Sequence, residues 1–101
     1  MNLTEILEAL RQWLTGLDVP AQVLTDRADA LRVLFETENA MAELIAGDGA
    51  YTPYRFVTFT VLNMQQDLNV SPVFFYYDNE DSTMDDILCG LKQGLCYLEE
   101  A

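Results

Sequence analysis

Tyr54-Arg55-Phe56-Val57-Thr58-Phe59-Thr60-Val61-Leu62-Asn63-Met64 is the longest β-prone run in the chain. Its aromatic and β-branched residues suit a pleated, half-buried surface. Side chains of a strand alternate between faces, so the run separates into two sets. Val57, Phe59 and Val61 form a wholly apolar set; Phe56, Thr58, Thr60 and Leu62 form a mixed one. The first set predicts a core face and the second a more solvated face. A strand of about eleven residues is long for a globular protein, which points to a central position with partners on both sides.

Outward from this strand, the chain reads as helix, strands, helix. Leu3, Ile6, Leu7, Leu10, Trp13, Leu14 and Leu17 recur at three- and four-residue steps, so Asn2 to Gly16 is an amphipathic helix with Trp13 on its core side. Asn2 and Glu5 form a capping-box pattern, and Glu8 is spaced to pair with Arg11. Gly16 and Pro20 end the helix. The connector from Asp18 to Asp29 holds one short apolar piece, Gln22-Val23-Leu24-Thr25, readable as an edge strand or as irregular chain. Asp26, Arg27 and Asp29 suggest a turn.

From Ala30 to Thr37, Leu31, Val33 and Phe35 alternate with Arg32, Leu34 and Glu36. Residues 40–46 follow after Thr37-Glu38-Asn39. A hairpin turning at Asn39 is the preferred reading, although Ala40-Met41-Ala42-Glu43-Leu44 also suits a helix. Gly47 to Pro53 and Gln65 to Ser71 read as turns. Pro72 opens a last strand, Val73-Phe74-Phe75-Tyr76-Tyr77. Asp78 to Asp81 is an acidic loop. Ser82, with Asp85 three residues on, is the expected cap of a second helix striped by Met84, Ile87, Leu88, Leu91, Leu95 and Leu98. Gly90 and Gly94 border that stripe and permit close packing against the sheet or the first helix. The expected fold is one α+β domain over residues 1–101. It has two layers: an antiparallel sheet of four to five strands, with the N- and C-terminal helices packed on one face.

Composition narrows the function classes. Seventeen acidic residues against five basic ones give a formal charge of -12. That field repels phosphate backbones, which disfavours nucleic-acid binding, and attracts basic proteins; it also serves plain solubility. No apolar run reaches the roughly 18 residues of a membrane span, and no basic stretch precedes an apolar one at the N-terminus. A cytoplasmic protein without membrane contact is expected. There is no histidine, so no serine or cysteine nucleophile can draw on a histidine base. Gly47-Asp48-Gly49 precedes no helix and is no phosphate loop. Counting from Asp78, the sixth and twelfth positions of an EF-hand are Thr83 and Cys89 where Gly and Glu are needed. Asp78, Glu80, Asp81, Asp85 and Asp86 therefore read as a solvated loop with helix-terminus acids. Cys89 and Cys96 are too far apart on a helix for a disulfide between them, and read as reduced, partly buried thiols. No enzyme activity, metal or cofactor is expected.

What remains is surface. Tyr51, Tyr54, Phe56, Phe74 and Tyr76 are expected to share or border the helix-free sheet face, as an interface or as ordinary cross-strand packing. The candidate partner-binding residues are Tyr54, Phe56 and Tyr76, with Asp81, Asp85 and Asp86 steering a basic protein.

The run Phe35-Glu36-Thr37-Glu38-Asn39-Ala40-Met41-Ala42-Glu43-Leu44-Ile45 resembles the first hairpin of some small bacterial immunity proteins of polymorphic toxin systems. Those relatives often carry a tryptophan after the second strand, where this chain has Gly47-Asp48-Gly49. The resemblance implies a stoichiometric binder of a toxin domain and transfers no functional residue. The expected function is thus a non-catalytic acidic protein-binding module, with an immunity-type inhibitor as its particular form. The alternatives are a phage or virion assembly component, a small secretion chaperone, and a nucleic-acid mimic. A homodimer through a sheet edge is a further possibility for any of them.

Overall fold

The computed structural model describes residues 2–48, 56–63 and 72–100. The turn read at 47–53 lies outside the described residues beyond Asp48, as do the turn read at 65–71 and the candidate residues Tyr51 and Tyr54. Two helices and five strands follow in the order α1 (Leu3–Thr15), β1 (Ala21–Arg27), β2 (Ala30–Glu36), β3 (Ala40–Gly47), β4 (Val57–Asn63), β5 (Pro72–Tyr77) and α2 (Met84–Glu100). The strands form one antiparallel meander in sequence order, and both helices lie against the same face. This is the α+β, helix-on-one-face architecture expected from the sequence.

Strand alternation sets the layers. Along one row of the sheet Val33, Leu44, Phe59 and Tyr76 are register partners; along the next, Phe35, Ala42, Val61 and Phe74. Leu31, Val33, Phe35, Leu44, Val57, Phe59 and Val61 are all buried, and Ile6, Leu7, Leu10, Ile87, Leu91 and Leu98 close over them. Burial of each large side chain contributes about 1.5–3 kcal/mol. The aromatic rings interlock edge to face: Trp13 on Phe35 at 6.4 Å, and Phe35 on Phe59 at 5.8 Å. Residues 40–46 are strand, so pairing with β2 and β4 overrides their helix propensity.

Small residues decide how closely the helices approach. The covered side of central β3 carries Ala40, Ala42 and Ala46 around Leu44, and both helices come close to it. In α2, Gly90 and Gly94 are buried against the sheet. A Cβ added at Gly90 would fall on the ring of Tyr76, and one added at Gly94 on the ring of Phe59. The glycines therefore bring the α2 backbone down onto β4 and β5.

Several local expectations are corrected. β4 spans Val57–Asn63, shorter than the quoted run; Phe56 is a bend residue before it. It is nonetheless internal, paired with both β3 and β5. Asn2 caps α1 as expected, accepting from the Glu5 N–H at 2.9 Å. Arg11 turns away from Glu8: it bonds the Asp26 carboxylate at 2.9 Å and donates to the Arg27 carbonyl, tying α1 to β1. The cap of α2 is Thr83, one residue later than Ser82. Its Oγ1 accepts from the Asp86 N–H at 3.1 Å, while the Asp86 carboxylate accepts from the Thr83 N–H at 3.0 Å, a complete capping box. Ser82 serves the loop instead, accepting from the Asn79 N–H at 3.0 Å. Cys89 and Cys96 are free, as expected, but exposed rather than partly buried.

Candidate functional site

The helix-free face of the sheet is a surface that no described element covers. It is built from the other side chains of the same strands. One row holds Thr25, Arg32, Ile45, Thr58 and Tyr77; the next holds Gln22, Leu34, Glu43, Thr60 and Phe75; Glu36, Met41 and Leu62 extend it. Leu34, Met41, Ile45 and Leu62 are half-buried there, while Phe75 and Tyr77 are exposed, with ring centroids 5.6 Å apart. The only charges in these rows are Arg32, Glu36 and Glu43. Arg32 reaches diagonally to Glu43, with bonds of 2.9 and 2.6 Å to one carboxylate oxygen. Thr58, between Ile45 and Tyr77, is only 8% exposed, so this face is less solvated at its centre than its threonines suggest.

Of the sequence-predicted aromatic residues, Phe56, Phe74 and Tyr76 do not lie on this face. Tyr76 and Phe74 are on the covered side, Tyr76 beneath Gly90 and Phe74 stacked on Tyr97 of α2 at 5.3 Å. Phe56 packs against the core, and its position in the bend before β4 removes it from strand alternation. Their neighbours Phe75 and Tyr77 present the aromatic surface instead. Both alternating sets of β5 are large and apolar, so periodicity assigns neither to the outside.

Tyr76 is partly buried beneath α2. Its hydroxyl is buried and makes no hydrogen bond among the described residues. Burial raises its pKa above the ordinary phenol value. The Ser82 hydroxyl works the other way, without reaching hydrogen-bond geometry, and the charges of Asp78, Asp86 and Cys89 add to the rise.

The acidic group splits into distinct roles. Asp78 is not part of a solvated loop: it is 1% exposed, and its Oδ1 accepts from the N–H groups of Phe56 and Val57 at 2.8 Å each. Its own N–H donates to the Val57 carbonyl at 3.2 Å, so Asp78 fastens the end of β5 to the start of β4. Asp86 is committed to the α2 capping box. Asp81 and Asp85 are exposed at the same helix end, where the dipole favours negative charge. No group of three or more acidic or thiol side chains suited to a metal ion occurs among the described residues. No described helix is long and apolar enough to cross a membrane.

Comparison with protein-family models, with curated proteins and with solved structures returns no match for this chain.

Proposed function

We propose that this chain is a non-catalytic, cytoplasmic protein-binding module that receives a basic protein on the helix-free face of its sheet. The observation that carries the reading is that face itself. Leu34, Met41, Ile45, Leu62, Phe75 and Tyr77 present an apolar surface that no described element covers, on a chain of net charge -12. Apolar patches rimmed by polar residues serve association, and complementary charge selects and steers the partner. Exposed free thiols at Cys89 and Cys96 fit a reducing compartment. An immunity-type inhibitor of a toxin domain is the particular form we favour, on the resemblance of the Phe35–Ile45 hairpin.

The test is capture of a partner from the native host, followed by titration against purified Leu34→Lys and Ile45→Lys variants. Both sites lie mid-face on β2 and β3. A basic partner that binds one to one, loses affinity about tenfold or more with either substitution, and is relieved of toxicity by co-expression supports the reading. Binding that is indifferent to both substitutions sinks it.

A further inference from the structure

The two edges of the sheet are unlike each other. β1 carries the devices that keep an edge from pairing: a bulge between Val23 and Thr25, the charges of Asp26 and Arg27, and the Arg11 tether from α1. β5 shares one of them, a bulge at Val73 where the register with β4 shifts between Val61 and Leu62, but it carries no charge and, among the described residues, no side-chain tether. Its six residues are Pro-Val-Phe-Phe-Tyr-Tyr, with Val73, Phe75 and Tyr77 each at least 40% exposed, and both interruptions, Pro72 and the bulge at Val73, fall at its first two positions. No described strand lies beyond it. An uncharged apolar edge with so little protection is either a hazard or a place where a strand is added.

The surroundings of that edge select the occupant. α2 runs back along β5, with Gly90 over Tyr76, Gly94 over Phe59 and Phe74, and Tyr97 stacked on Phe74. Its N-terminal end brings Glu80, Asp81, Asp85 and Asp86 to one end of the edge, and its C-terminal end brings Glu99 and Glu100 toward the other. Among the described residues Lys92 alone stands against these; Arg11, Arg27 and Arg32 lie on α1, β1 and β2. Between β5 and the outer flank of α2 runs a shallow groove lined by Phe74, Gln93, Cys96, Tyr97 and Glu100. Side chains of a sixth strand would alternate between this groove and the open face beside Phe75 and Tyr77. A lysine or arginine in the groove would lay its stem on the Phe74 and Tyr97 rings and bring its charge to Glu100. A second copy of this chain would bring the same acids to the same edge.

We infer that the outer edge of β5 takes up, by antiparallel or parallel strand addition, an extended basic segment of a partner protein, with apolar residues on one face and Lys or Arg on the other. This rests on the protein-binding reading above and locates a second part of the contact. The probe is a blocked eight-residue peptide alternating Val and Lys, added to the whole chain and followed by amide chemical shifts and hydrogen exchange. Alternate amides of residues 73–77 should gain about tenfold protection or more. Glu100→Lys, at an exposed helix end that favours a cation, should weaken the peptide about fivefold or more while leaving the fold unchanged. A peptide alternating Val and Glu should give no protection. A Val-Lys peptide that shifts only open-face residues, or nothing, overturns the edge assignment; the mid-face variants at Leu34 and Ile45 test the broader reading separately. Protection of 73–77 without peptide, together with a dimer in sedimentation, also overturns it, since the occupant is then a second copy.

Discussion

Gly90 of α2 lies directly against the ring of Tyr76 in β5, so closely that a methyl group would occupy the ring's position. Gly94 stands in the same relation to Phe59. Both glycines weaken an isolated helix, and alanine at either would raise helix propensity by about 1 kcal/mol. The contact outweighs that gain because the obstructed atoms belong to rings within the core. Gly94→Ala and Gly90→Ala should each destabilise by about 1–3 kcal/mol net in urea titration. Gly94→Ala should cost more, since Phe59 is fully buried on an internal strand and Tyr76 lies on an edge strand. A stabilised Gly94→Ala protein would show that α2 does not rest on the sheet as described.

Phe59 and Thr60 are neighbours with opposite fates. Phe59 is fully buried between Leu44 and Tyr76, whereas Thr60 stands on the open face between Glu43 and Phe75. Phe59→Ala should cost roughly 3–5 kcal/mol, a large share of a small domain's stability. Thr60→Ala should cost much less. Equal losses in chemical denaturation would mean that the faces of β4 are reversed.

These two residues also show what the sequence makes legible. β2 and, from Val57 to Leu62, β4 each contain one set that is all apolar and one that includes polar residues, so alternation alone orients them. In β5 nothing polar breaks the run, and its orientation depends on pairing with β4 and on α2 above it, which are tertiary facts. The aromatic candidates therefore move from Tyr76 to Phe75 and Tyr77. Asp78 is hidden for a similar reason: an acid following a strand and preceding an acidic loop looks solvated. Only the approach of the Phe56 and Val57 N–H groups, which are distant in sequence, makes it a buried anchor. Gly90 and Gly94 are the contrary case, since their place beside an apolar stripe is enough to suggest close packing.

Asp78 supplies the next test. Alanine at this position removes the carboxylate that accepts from one buried and one part-buried N–H group, at a cost of about 2–3 kcal/mol. Asparagine keeps one oxygen in place and should lose less. Amide exchange of Phe56 and Val57 should quicken in Asp78→Ala ahead of the rest of β4. If exchange there is unchanged, the carboxylate does not fasten the two strands.

Tyr76 should make stability fall at high pH. Its folded-state pKa lies above the unfolded value of 10.0, because burial, the first cause, disfavours the phenolate. Below that value both states hold the proton and the contribution is complete. As pH rises from there through the folded pKa, the unfolded state releases its proton more readily and stability is lost. Tyr76→Phe removes a buried hydroxyl without a partner among the described residues, so it should be neutral or slightly stabilising at pH 7. It should also flatten the alkaline decline relative to the parent chain. Identical alkaline profiles for the two proteins would place the tyrosine hydroxyl in water.

The acidic surface can be separated into a structural part and a part open to partners. With a net charge of -12, added salt should raise folding stability by screening self-repulsion over about 10 Å at 0.1 M. If the same field steers a basic protein, association with it should slow over that salt range while stability improves. Among the acids near the start of α2, Asp86 must be spared, because Asp86→Asn weakens the capping box with Thr83 and would confuse a binding loss with a folding loss. Asp81 and Asp85 are exposed, so Asp81→Asn and Asp85→Asn together are the informative change. The double variant should fold with near-parental stability and associate several-fold more slowly at low salt, the difference vanishing at high salt. An on-rate indifferent to both salt and these substitutions would assign the acids to solubility, leaving the open face and the β5 edge to bind without electrostatic steering.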